Sequence, residues 1–124
     1  MNNKKSFIIN RLKSTIYACS GAFTLLKTEA SIQVQLVIST IIIIAGIYFE
    51  ISAVEWMFQV TAIGLVMSLE GVNTAIEAIA DFIHPEYHKK IGLIKDIAAG
   101  AVFIAATAAI IIGLIIYIPK IIAL

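Results

Sequence analysis

A chain of 124 residues in which 60% are apolar and 14% charged, with a mean hydropathy of +1.00, is too apolar for a soluble domain, whose apolar share is about half. The composition is that of a membrane protein. The net charge of +1 supplies no basic surface for nucleic acid, and the single cysteine, Cys19, excludes an intrachain disulfide.

The opening MNNKKSFIIN has no long apolar core and no small-residue cleavage site after its lysines, so it is expected to be retained rather than removed as a signal peptide. Residues 6–28 are predicted to form an amphipathic helix lying on the membrane. Ile8, Leu12, Ile16, Cys19, Phe23 and Leu26 fall within about 40° of one line at about 100° per residue. Asn10, Ser14, Tyr17, Gly21, Thr24 and Thr28 fall opposite, the pattern of an interfacial helix.

Three apolar stretches follow, predicted as transmembrane helices over about residues 32–49, 54–80 and 97–118, each long enough for about 30 Å of hydrocarbon. Ser39, Thr40 and Gly46 in the first span and Ala98 to Gly113 in the third supply small residues for close helix packing. No repeat or linker divides residues 1–124, so they are read as one all-α integral membrane domain. Three spans enclose little by themselves, and oligomerisation is expected.

Charge orients the chain. Lys4, Lys5, Arg11, Lys13 and Lys27 precede the first span, and Lys89, Lys90 and Lys95 lie between the second and third, whereas the connection from Glu50 to Glu55 has no Lys or Arg. The positive-inside rule places the N-terminus and the 81–96 connection in the cytoplasm.

The second span ends in EGVNTAIEAIAD, residues 70–81. With Glu70 at 0° on a helical wheel, Asn73 lies near about −60°, Thr74 near about +40°, Glu77 near about −20° and Asp81 near about +20°. All share one face. A lone acid there would mark a helix end emerging into water, but three acids and an amide in register beside an intramembrane run cost several kcal/mol unless matched or functional. Rise per residue puts Glu70 just inside the hydrocarbon, Glu77 among headgroups and Asp81 in the cytoplasm, level with Glu29 and the Lys95/Asp96 pair.

That plane suits one chemistry. Carboxylates with an asparagine are oxygen ligands of the kind Mg²⁺ takes beside phosphate oxygens and water. A lysine supplies charge for a polyphosphate. A carboxylate partly buried among apolar groups is suited to take a proton from an alcohol. None of the seven glycines falls in GxxxxGK[ST], so a nucleotide site would be built without that loop. His84 and His88 have HxxxH spacing, but Pro85 between them argues for loop residues rather than a zinc pair on a helix.

RLKSTIYACSGA (11–22), the glutamate of TEASIQVQ (28–35), EGVNTAIEAIAD (70–81), EYH (86–88) and KDIAAGAV (95–102) together resemble the prokaryotic diacylglycerol kinase family, small trimeric membrane enzymes that include undecaprenol kinases. The resemblance spans almost the whole chain. It implies an ATP- and Mg²⁺-dependent lipid kinase of the bacterial inner membrane, a homotrimer with active sites shared between subunits. Glu70 is implied as the general base, Glu29 and Glu77 as Mg²⁺ ligands, and Asn73 and Asp81 as supporting residues. Arg11, Tyr17, Glu29, Glu77, Glu86, Tyr87, His88, Lys95 and Asp96 are implied as nucleotide contacts, and Ser31, Gln35, Glu70 and Ala99 as lipid contacts. Gln35 stands where the diacylglycerol branch has an acid, and NTAIE with KDIAAGAV resembles the undecaprenol branch, whereas EYH resembles the diacylglycerol branch. The acceptor is open between the two. The competing readings are a proton- or cation-conducting membrane protein, which would need ionisable groups across the whole bilayer, and an inactive structural subunit, which would show gaps in the acid and lysine set.

Overall fold

The computed structural model describes residues 3–124, which form four helices: α1 (Asn3–Thr28), α2 (Ala30–Tyr48), α3 (Ala53–Ile83) and α4 (Lys89–Ile122). Among the described residues there is no strand. Helices α2, α3 and α4 are each long and apolar enough to cross a membrane. The expected helix over 6–28 is found as α1, whose exposed apolar residues include Phe7 and Ile9 as well as the predicted stripe.

The breaks between helices have local causes. Glu29 is extended, with φ −98° and ψ 115°, which turns the chain between α1 and α2. At the other end of α2, Glu50 adopts a left-handed φ of 50°; its N–H reaches the Ile47 carbonyl at 3.2 Å, and that of Ile51 reaches Gly46 at 3.1 Å. This is a Schellman stop, built with a glutamate at the position that glycine usually fills. Ser52 then caps α3: its hydroxyl accepts the Glu55 N–H at 3.2 Å while Glu55 Oε1 accepts the Ser52 N–H at 2.9 Å. Such a capping box satisfies two otherwise orphaned donors. Helix α3 stops at Ile83 because the residue before Pro85 is driven away from helical geometry, and His84 has φ −146° and ψ 84°. Helix α4 opens on His88, whose Nδ1 accepts the Lys90 N–H at 3.1 Å.

With 31 and 34 residues, α3 and α4 run about 46 and 51 Å at about 1.5 Å per residue, well beyond a hydrocarbon slab of about 30 Å. Helix α4 starts eight residues before the apolar run that opens at Ile97, because Lys89–Asp96 continue the same hydrogen-bonded ladder. The antiparallel α3–α4 pair is the best-packed part of the chain, burying the small side chains Ala62, Ala98 and Ala105.

Helix α2 joins this pair mainly at the end carrying the Glu50 turn, here the turn end; the opposite one, carrying residues 84–88, is the loop end. The apolar core sits at the turn end, where Ile51, Ile116 and Tyr117 are buried against Phe49, Trp56 and Ile42. Gly46 admits the Trp56 ring, since a Cβ there would lie 2.8 Å from Trp56 Cη2. Lys120 Nζ bridges α4 to α3 at the same end, 2.7 Å from Glu55 Oε2. Elsewhere large apolar side chains such as Phe103 and Ile104 (both 72% exposed) remain uncovered, the surface expected of a chain that meets lipid or other subunits.

Candidate active site at the loop end

The helical register of α3 places Glu70, Asn73, Glu77 and Asp81 along one face, and the structure adds their contacts. Asn73 is buried, and its Nδ2 donates to Glu77 Oε1 at 3.4 Å. Its Oδ1 is buried with no hydrogen-bond partner. A buried amide oxygen left unpaired is costly, which makes Asn73 an acceptor waiting for a donor or a cation. Thr74 directs its hydroxyl to the Glu70 carbonyl at 3.0 Å and so leaves the half-buried Glu70 carboxylate uncommitted. Glu77 is exposed beside Asn73.

Two other elements converge on this face. The loop-end portion of α1 lies over it: Leu25 Cδ1 is 2.9 Å from where a Gly71 Cβ would stand, immediately beside Glu70. A methyl group at Gly71 would push the tip of the Leu25 side chain aside. From α4, Lys95 Nζ sits 2.6 Å from Asp81 Oδ1, tying the start of α4 to the last turns of α3. Glu29 is half-buried as the N-cap of α2 and makes no side-chain cap hydrogen bond, so its carboxylate is not spent on its own helix.

The remaining predicted residues are distributed as follows. Ser31 is exposed and Gln35 half-buried on α2, while Asp96 and Ala99 are exposed on α4. Glu86, Tyr87 and His88 form the exposed connection between α3 and α4; Tyr87 lies over the first turns of α4, 3.4 Å from a Cβ at Gly92. His84 Nδ1 donates to the Glu86 carbonyl at 2.6 Å, and its ring stands 5.3 Å from that of His88. Arg11 and Tyr17 are both exposed on α1, with the Arg11 guanidinium 5.7 Å from the Phe7 ring centroid. Among the described residues no three His, Cys, Asp or Glu side chains gather as a metal site. The donor chemistry nevertheless fits Mg²⁺: a face carrying the exposed Glu77 carboxylate and the half-buried Glu70 carboxylate suits an ion that keeps several waters and takes few protein ligands.

Sequence reading missed the turn-end polar groups. Gln59 is 4% exposed and Tyr117 8%, and they meet in the middle of apolar runs. The available signal was the polar residue itself, since an amide inside a span rarely stands without a purpose.

A small helical membrane protein with three spans, an acidic face on its second span and a lysine delivered to that face from the third has the construction of a membrane phosphotransferase. The family model for prokaryotic diacylglycerol kinase matches residues 16–117. The chain is 39% identical over 113 residues to an undecaprenol kinase of Bacillus subtilis (strain 168), covering 90% of this chain and 92% of that protein. It is 29% identical over 111 residues to a diacylglycerol kinase of Escherichia coli (strain K12), covering 90% and 91%. The protein belongs to the prokaryotic diacylglycerol kinase family and is a lipid kinase.

Proposed function

We propose that the protein transfers the γ-phosphate of ATP to the hydroxyl of a membrane lipid alcohol, undecaprenol or diacylglycerol. The 39% identity to an undecaprenol kinase makes undecaprenol the favoured acceptor. The observation that carries the reading is the Glu70–Asn73–Glu77–Asp81 face of α3 with Lys95 brought to it at 2.6 Å from Asp81.

Glu70 accepts the proton of the lipid hydroxyl; the oxygen attacks the γ-phosphorus, the bond to the β–γ bridging oxygen breaks, and ADP leaves. Half-burial of Glu70 suits this, because the acceptor hydroxyl reaches it without its tail leaving hydrocarbon. Ser31, Gln35 and Ala99 line the headgroup. Arg11, Tyr17, Glu86, Tyr87, His88, Lys95 and Asp96 contact the nucleotide, with Lys95 opposing phosphate charge. Glu29 and Glu77 would hold Mg²⁺, which when bound neutralises charge on the phosphates. Asn73 holds Glu77 in place through its amide N–H, and Asp81 orients Lys95.

The site is cytoplasmic, α1 lies on the membrane surface, and the bacterial inner membrane is the location, in keeping with the lysines at the loop end. The working unit is a homotrimer whose subunits share sites. The uncovered apolar helix faces and the dispersed acids of a single chain support this.

The test is purified protein with Mg-ATP and either undecaprenol or diacylglycerol, with phosphorylated lipid measured directly. Glu70→Gln should abolish turnover and keep ATP affinity. Turnover equal to the parent would remove Glu70 as the base.

A further inference from the structure

Gln59 on α3 and Tyr117 on α4 converge on one backbone atom of α2. The Tyr117 hydroxyl lies 3.1 Å from the Ile42 carbonyl oxygen and 2.5 Å from Gln59 Oε1, and Gln59 Nε2 lies 3.5 Å from the same Ile42 oxygen. The single phenolic proton serves two acceptors, and the Gln59 amide closes the triangle. In an apolar medium these groups have no water to turn to, so each depends on the other two.

The location gives the contact its consequence. Between α2 and α4 lies a groove of about 560 Å³, walled by Ile38 and Ser39 on one side and Ala106, Ala109 and Gly113 on the other, with Ile42, Gln59 and Tyr117 also in its lining. Among the described residues the polar contacts of α2 with α3 and α4 converge on the Ile42 carbonyl, toward the turn end. At the loop end the Gln33 side chain bonds to α1 instead, donating to the Leu26 and Lys27 carbonyls at 3.2 and 3.0 Å. Ile32 is buried there and adds apolar packing without a hydrogen bond to α3 or α4. Helix α2 is therefore a lever with its directional anchor at Ile42 and its working residues Glu29, Ser31 and Gln35 at the far end. From Ile42 to Glu29 is about 20 Å of helix, so a tilt of about 5° displaces Glu29 by about 2 Å. A misplacement of about 1 Å can cost about 100-fold in rate.

We propose that Gln59 and Tyr117 are positioning residues, a buried three-helix clasp that sets the register of α2 against the α3–α4 pair and thereby the level at which Glu29, Ser31 and Gln35 face Glu70 and Glu77. The proposal rests on the lipid-kinase reading above, and its test separates the two.

In a Cys19→Ser chain, nitroxide labels at Ala30→Cys and Ile79→Cys report the distance from the start of α2 to the acidic end of α3, with labelled chain diluted into unlabelled chain. Tyr117→Phe removes one oxygen and keeps the ring; Gln59→Leu keeps the bulk. Each should shift or broaden the distance distribution, and each, without labels, should raise the Mg²⁺ midpoint and the lipid KM about tenfold. The double variant should be no worse than the worse single, because either change opens the triangle. A lowered melting temperature with distance, Mg²⁺ midpoint and lipid KM unmoved would make the clasp merely structural and overturn the proposal. A moved distance with both kinetic values unmoved would also overturn it, by removing α2 from the reaction. If the parent chain phosphorylates neither lipid, the kinase reading fails by itself, and the distances alone decide whether the clasp sets the register of α2.

Discussion

Lys95 Nζ lies 2.6 Å from Asp81 Oδ1, so a lysine of α4 is held by the last acid of the α3 face. The side chains are 35% and 60% exposed, and an ion pair so open to solvent stabilises a fold by at most about 1 kcal/mol. Under the proposed function its value lies in aiming Lys95 rather than in stability. Lys95→Met should reduce kcat/KM for ATP by about 100-fold, through loss of a charged contact to phosphate. Asp81→Asn should reduce it by about tenfold, because the lysine stays but is no longer directed. Thermal melts of both should lie close to the parent; steady-state kinetics in ATP separates them.

Glu77 Oε1 accepts from Asn73 Nδ2 at 3.4 Å. Glu77→Ala should raise the Mg²⁺ concentration for half-maximal turnover by about tenfold or more, and chelation by EDTA should stop turnover reversibly. A Mg²⁺ titration of lipid phosphorylation reads both. An unchanged midpoint would count against Glu77 as a ligand.

At the turn end, a Cβ on Gly46 would lie 2.8 Å from Trp56 Cη2 and 3.1 Å from Ile51 Cδ1, so ring and aliphatic chain would both have to retreat. Gly46→Ala should destabilise by about 1–3 kcal/mol, the usual cost of overpacking. Adding Trp56→Phe should recover part of that loss, because the shorter ring vacates the space. Thermal unfolding in detergent measures the single and double variants.

Glu50 holds φ at 50° to complete the Schellman turn, a region that costs an L-residue about 1–2 kcal/mol and glycine much less. Glu50→Gly should therefore stabilise by about 0.5–1 kcal/mol, after the entropy that glycine adds to the unfolded chain is subtracted. The same unfolding assay should show a raised midpoint with activity unaltered, since glycine keeps the turn's backbone geometry and the contacts of Ile42, Gln59 and Tyr117 are untouched.

What could be read from sequence was whatever depends on neighbours along one helix. The 3.6-residue period alone puts Glu70, Asn73, Glu77 and Asp81 on one face, and Pro85 alone ends α3 at Ile83. Hydropathy alone identifies α2, α3 and α4 as spans. Periodicity is silent on how far a helix runs past its apolar stretch, which is why α4 begins at Lys89 rather than at Ile97.

Contacts between residues distant along the chain were decided by packing. That Lys95 meets Asp81, that Leu25 rests where Gly71 has no side chain, and that Tyr117 and Gln59 close on the Ile42 carbonyl all depend on how the four helices approach one another. No local propensity encodes that approach. It comes from where small residues allow backbones to near each other, and from the need of each polar group in an apolar medium to find a partner on another helix.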